Sequence, residues 1–251
     1  MMLKIAAPRS LAAVPLLLLA EANTAAYEIH FFSDHADAVR GLHDGSFDLL
    51  CTGFTELDRS QLLCTYVWGL SALMVRDASL KTMADLSRYC ESHSDAELVL
   101  PFSGSPLDLQ VRALFRQLQP PLSISLRNQQ LPETLQQFLA GNIFAAVLPE
   151  PLAATLELAG KATRLADLAE LHARLSGDAR SPQVGLFVRK EKKLPAGFLS
   201  EFAQSICIAG AMSQQQRSTV AASLGITEAV FQHAQKHVQF ELPDQSVAEK
   251  L

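Results

Sequence analysis

Short apolar runs alternate along this chain with stretches whose apolar residues recur at helical spacing. Lys4 to Ala7, Tyr27 to Phe32 and Phe47 to Cys51 are too short for stable helices and predict strands. Between them, Pro15 to Asn23 predicts a helix with proline in its first turn, where the missing N–H costs nothing. Ala36 to His43 predicts a second helix, ending near Gly45 as a left-handed stop. A polar stretch, Thr55 to Gln61, precedes the long apolar segment Leu62 to Val75, which Gly69 breaks. That segment reads as a strand pair or one long bent strand leading out of a first lobe.

The plan then repeats. Leu98 to Leu100 is a strand, Ser103-Gly104-Ser105-Pro106 a tight turn, and Leu107 to Gln119 a helix with Leu107, Val111, Leu114, Phe115 and Leu118 on one face. Ser123 to Leu126 and Phe144 to Leu148 predict strands, Pro132 to Ala140 and Leu152 to Ala159 helices. Val184 to Val188 is a late strand, and the chain beyond Pro195 reads as helix. Strands alternating with helices predict an α/β fold built on mainly parallel sheets.

One internal echo sharpens this. Ala38 to Gly53 can be laid over Thr134 to Pro149: in each, an amphipathic helix ends at Gly (Gly45, Gly141), an apolar residue follows two positions later (Phe47, Ile143), and a strand leads to a turn. A single echo so widely spaced implies two similar halves rather than a solenoid.

Composition narrows the function classes. With 251 residues, 49% of them hydrophobic, the chain can fill one large α/β domain or two smaller lobes. A net charge of -5 and the lack of a basic cluster interleaved with aromatics exclude a general nucleic-acid binder. Cys51, Cys64, Cys90 and Cys207 form no C-x-x-C pair, and His233 and His237, four residues apart, have no third ligand in view, so no metal site and no cofactor are expected. Cys51 and Cys64 both fall near strand ends, which leaves open whether they are bridged. Lys4, the apolar run Leu11 to Ala20 and the small residues Ala22, Ala25 and Ala26 imitate a secretory signal. The strand at Lys4 to Ala7 and the proline-led helix argue instead for folded structure. No apolar run has the length needed to span a bilayer, and the chain reads as soluble.

In order and spacing, several of these segments resemble the bilobal periplasmic solute-binding proteins of ABC importers, in the branch of nitrate, alkanesulfonate and thiamin-pyrimidine-precursor binders. The carriers are the opening strand with Arg9 to Val14 and Pro15-Leu16, Leu42-x-x-Gly45-x-Phe47-Asp48, Ser103 to Pro106, Ala145 to Pro151 with its Glu150-Pro151 pair, and Val184 to Arg189 before the terminal helices. The likeness spans nearly the whole chain, with two departures: Phe144 stands where the branch commonly carries Asp in its second Gly-x-x-Asp pattern, and no signal sequence is read at the start. The resemblance implies a two-lobed periplasmic-binding-protein-like fold, with lobe one at residues 1–76 and 183–251, lobe two at 77–182, and hinge crossings near Val75 to Ala78 and Ser181 to Val184. It also implies a small-molecule ligand, an ABC permease as partner, and contact with the membrane only through that permease. The location is periplasmic if a leader is removed and cytoplasmic otherwise.

In such a fold the loops beyond the carboxyl ends of the strands face a crevice. The candidate ligand contacts are Arg9, Ser10 and Leu11; Thr52, Gly53 and Phe54; Trp68; Phe102, Ser103, Gly104 and Ser105; Asn128; and Glu150. Each has a plainer reading. Ser10 and Ser105 are good helix caps, Arg9 a good surface charge, and Phe54, Trp68 and Phe102 good core. Few charges among these loops favour a small, partly aromatic or heterocyclic, at most weakly anionic solute. Two alternatives remain on the same fold: a cytoplasmic enzyme, either of the menaquinone-pathway type, for which Glu150 is the one evident catalytic group, or of the thiamin-pyrimidine type, whose cysteine cluster has no match here, and an effector-sensing domain. No nucleophile–base pair supports the first, and no preceding helix-turn-helix supports the second.

Overall fold

Residues 2–54, 57, 59–119, 122–177 and 182–241 are described in the computed structural model of the chain. β1 (Leu3–Pro8) pairs in parallel with β2 (Tyr27–Phe32) on one side and with β3 (Leu49–Thr52) on the other. Strands covered on both faces read as continuous apolar runs, and Leu3, Ile5, Ala6 and Ala7 are fully buried. A 3-10 turn, Leu11–Ala13, leads into α1 (Val14–Ala22), which carries Pro15 in its first turn and is apolar on nearly every face. A helix of that kind belongs in an interior, and here Val14, Leu16, Leu18 and Leu19 are buried. α2 (His35–Asp44) starts on the Asp34 cap and stops at Gly45, whose φ of 88° is open to glycine at little cost. β4 (Leu62–Trp68) ends at Gly69, φ 94°, and β5 (Ser71–Val75) begins two residues later.

From there the chain builds a second set: α3 (Met83–Ser92), β6 (Glu97–Leu100), α4 (Pro106–Phe115), β7 (Ser125–Asn128), α5 (Leu131–Ala140), β8 (Ala145–Pro149), α6 (Leu152–Leu158), β9 (Thr163–Asp167) and α7 (Leu168–Ser176). It returns through β10 (Pro182–Val188) to α8 (Phe198–Gly210), α9 (Gln214–Leu224), α10 (Glu228–Gln235) and the short β11 (Gln239–Phe240). Among the described residues the strands form a six-stranded sheet, β11-β4-β10-β3-β1-β2, and a five-stranded sheet, β7-β6-β8-β5-β9. The chain divides accordingly into Met1–Trp68 with Pro182–Leu251, and Gly69–Ser181.

The α/β architecture and most elements match the sequence reading, with four differences. Leu62 to Val75 is two strands in two different sheets, because Gly69 turns the chain. The first crossing is therefore at Trp68–Gly69, and β5 belongs to the second unit, not to the first as a boundary at residue 76 would have it. α3 was not expected, although its capping box, Thr82 with Asp85, is visible in the sequence. β9 and α7 were also not expected. Beyond Pro195 the segment is helical except for β11, and residues 242–251 lie outside the described residues, as do Thr55, Glu56 and Asp58 of the polar stretch.

The echo is real structure. α5 stops at Gly141 with φ 92°, as α2 stops at Gly45. In each unit an antiparallel strand lies beside the strand that follows: Arg189 N donates to Asp48 O at 2.9 Å past the end of β10, and Arg76 N donates to Phe144 O at 2.9 Å past the end of β5. No described helix is long and apolar enough to cross a membrane.

Phe138 is fully buried in the second unit while its neighbour on α5, Leu139, is 36% exposed. Phe138→Ala is expected to cost about 3–5 kcal/mol through lost transfer energy and a cavity, and Leu139→Ala no more than about 0.5 kcal/mol. Urea titrations of the two variants check this.

Candidate functional site

Strand directions place the candidate loops at one edge of each sheet. In the first unit β1, β2 and β3 run in parallel and β4 runs with them, since β10 lies antiparallel to both β3 and β4. Pro8, Phe32, Thr52 and Trp68 therefore end their strands at the same edge. In the second unit the same holds for Leu100, Asn128, Pro149 and Asp167.

At the first edge, Ser10 accepts the Ala12 N–H at 3.3 Å, so it caps the 3-10 turn as its plainer reading has it. The turn is held from below. Tyr66, fully buried on β4, donates its hydroxyl to the Ala12 carbonyl at 2.8 Å and lies 2.9 Å from Cys51 Sγ. Burial pushes the Cys51 and Cys64 thiols up to about 12, so both stay protonated and unreactive at neutral pH. Both are free thiols. Leu186 of β10 lies between them, opposite Cys51 on β3 and Cys64 on β4. Two strand spacings amount to roughly 9.5 Å, beyond the ~7 Å that a disulfide spans.

Thr52 Oγ1 lies 2.8 Å from Nε2 of His35, the first residue of α2, and Phe32 meets the His35 ring edge-on at 6.3 Å. Burial lowers the His35 pKa below 6.5 against the opposing pull of Asp34. His35 was missed in the sequence because it reads as an ordinary helix start. Gly53 is half-buried, and the half-buried Phe54 meets Phe187 edge-on at 6.2 Å. Trp68 is half-buried at the end of β4, opposite Gln239 and Pro182. Arg9 is exposed; its guanidinium sits 4.5 Å over the Phe31 ring and donates to Ser223 O at 3.2 Å, which ties β1 to α9.

At the second edge, Gly104 (φ 78°) turns the loop after β6, and Ser103 and Gly104 are exposed beside the half-buried Phe102. Ser105 is buried and caps α4 by accepting Asp108 N–H at 3.2 Å. Asp108 is 2% exposed and acts as the clamp of this loop. It accepts from Gly104 N at 2.9 Å, Arg112 Nε at 2.8 Å and Asn128 Nδ2 at 2.9 Å. Burial opposes its ionisation, but these donors hold its pKa below the usual carboxylate value. Asn128 also donates to Pro101 O and accepts from Arg112 at 2.9 Å, so its amide braces the loop. Next to it, the Gln129 side chain takes a bond from Arg127 through Oε1, while its buried Nε2 has no hydrogen-bond partner among the described residues.

Leu11 and Glu150 are both fully buried. Expected as ligand contacts, they are occupied otherwise: Leu11 packs in the core, and Glu150 takes the Ala154 N–H at 3.1 Å and the guanidinium of Arg164. That guanidinium also meets Glu157 at 2.9 Å and Asp167 at 2.7 Å. Burial alone would lower the Arg164 pKa, but the three carboxylates raise it. The geometry makes Glu150 an internal counter-ion to Arg164.

The whole chain superposes on solved structures of solute-binding proteins. A ligand-binding component of an ABC-type import system from Staphylococcus aureus, with zinc bound, matches at TM-score 0.75 and 12% identity, over 100% of this chain and 89% of that one. The alkanesulfonate-binding protein SsuA from Xanthomonas axonopodis pv. citri, bound to MOPS, matches at 0.68 and 19%, over 99% and 89%. The periplasmic aliphatic sulphonate binding protein SsuA from Escherichia coli matches at 0.69 and 18%, over 99% and 88%. No family model matches the sequence, and no curated protein does. The chain has the periplasmic-binding-protein fold.

Two outcomes follow from the geometry. Arg164→Met leaves a fully buried carboxylate without its counter-ion and is expected to cost about 3–5 kcal/mol, read by urea denaturation, whereas the rim substitution Arg9→Met is expected to cost about 1 kcal/mol or less. For His35, the folded pKa lies below the unfolded value of 6.5, so its contribution to stability is complete above pH 6.5 and is lost as pH falls through the folded value. The stability difference between wild type and His35→Asn, followed by thermal melts, therefore shrinks on acidification below pH 6.5 and is flat above it.

Proposed function

We propose that the chain binds a small solute at the strand-end loops and delivers it to an ABC-type importer outside the cytoplasmic membrane. The observation that carries this reading is the duplicated edge. Each unit ends its parallel strands in loops that combine small polar groups with half-buried aromatics: Thr52, His35 and Trp68 in one, Ser103, Gly104 and Phe102 in the other. The second set is braced from beneath by the Asp108 network, which lowers the ordering cost of binding. The fold shared with import-system binding components supports the reading.

Hinge closure about the two chain crossings, driven by ligand contacts that favour the closed state, belongs to the same proposal. The aromatics and the scarcity of free charge favour a partly aromatic or heterocyclic solute that is neutral or weakly anionic. Sulfonates also deserve testing, since two neighbours carry that specificity in their names.

A thermal-shift screen of sulfonates, pyrimidines, vitamins, nitrate and amino acids tests the proposal. One compound is expected to raise the melting temperature with dose, by about 2.7 kcal/mol of stabilisation at a hundredfold excess over Kd. Phe102→Ala and Trp68→Ala are each expected to weaken it at least about tenfold. A compound that is consumed on incubation, or binding untouched by both substitutions, overturns the reading.

A further inference from the structure

The two units handle one equivalent position in opposite ways. In the first, Asp48 follows the helix-ending Gly45 by three residues, and its carboxylate accepts from Arg189 at 3.2 Å and from Lys192 Nζ at 2.7 Å. In the second, Arg76 holds the place of Arg189. It begins where β5 ends, its N–H reaches the Phe144 carbonyl as that of Arg189 reaches Asp48, and its guanidinium lies against the helix-ending glycine in the same way. A methyl group added at Gly45 would lie 2.9 Å from Arg189, and one at Gly141 2.8 Å from Arg76. The carboxylate is missing, because Phe144 stands at the Asp48 position.

Beside Phe144 is a pocket of about 390 Å³, lined by Arg76, Asp77, Asn142, Tyr89 and Phe144. Phe144 stacks on Tyr89 at 4.3 Å and 7°, and Tyr89 on His93 at 4.0 Å and 6°, so one wall is a rigid apolar face. Arg76 is exposed, and its guanidinium docks on the Gly141 carbonyl. The neighbouring acid, Asp77, spends one oxygen on the Ser79 N–H at 2.8 Å. The volume is at the lower end of the range for small-molecule pockets, about 300–1,000 Å³. It lies by the start of β8, at the opposite end of that strand from the loop after Pro149.

We propose that this pocket is a second ligand site, in which Arg76 pairs with the carboxylate of a small organic acid whose apolar body rests against Phe144 and Tyr89. The incoming carboxylate supplies the partner that Asp48 supplies in the first unit, with the Asn142 amide at the pocket's edge. A guanidinium binds a carboxylate through two parallel charge-assisted bonds, which a neutral amide cannot reproduce. The site is independent of the strand-end loops and of what they bind.

The test is a titration of the full chain with benzoate, followed by two-dimensional proton–nitrogen NMR, with benzamide as the neutral control. Benzoate is expected to shift the Gly141 and Asn142 amides saturably, with benzamide at least about tenfold weaker. Arg76→Met, at an exposed position, is expected to reduce benzoate binding at least about tenfold. Phe144→Asp, which restores the internal carboxylate, is expected to do the same by competition. No shift at about 10 mM benzoate, equal affinity for benzamide, or unchanged binding by Arg76→Met overturns the proposal. Shifts confined to the loops after Thr52 and Leu100 overturn it too, and would report on the other site.

Discussion

Each sheet depends on one antiparallel strand laid beside the last strand of its parallel set, β10 against β3 and β5 against β8. That pairing fixes where the chain enters. Because the added strand runs backwards, it begins at the edge where the parallel strands end: Gly185 lies opposite Thr52 and Ser71 opposite Pro149. In each unit the entry segment therefore sits beside the loops that carry the candidate contacts. In the first unit the outgoing and returning chain meet directly, with Trp68 opposite Pro182.

The loops at these edges are not loose. Unpaired buried polar atoms cost more than a formed hydrogen bond returns, so the chain spends side chains on closing networks beneath them. Tyr66 holds the Ala12 carbonyl, Asp108 holds Gly104 and Asn128, and Arg164 gathers Glu150, Glu157 and Asp167. Several residues that look like contacts from sequence are thus supports. Ser103 and Gly104 are exposed at the second edge, and the half-buried aromatics are Phe102 there and Trp68 at the first.

How much of this was legible depends on range. Gly45 and Gly141 close amphipathic helices within a few residues, and that local signal carried the duplicated plan correctly. The partition of Leu62 to Val75 was not legible, since two largely buried strands of different sheets have a similar apolar composition and only Gly69 marks the turn. Asp108 and Arg112 are four residues apart and could have been paired, but Asn128 joins them from the next strand, which no local pattern reveals. Glu150 read as a cleft carboxylate because its burial depends on Arg164, brought to it by the register of β8, β5 and β9.

The sequence contains a single tryptophan, Trp68, and the fold puts it on the last residue of a strand, half-buried, where the chain leaves one unit and comes back to it. Indole emission responds to the polarity around the ring, and every photon the chain emits on selective indole excitation comes from this one position. The protein thus carries a built-in optical reporter at its own crossing, free of background from other indoles and needing no label.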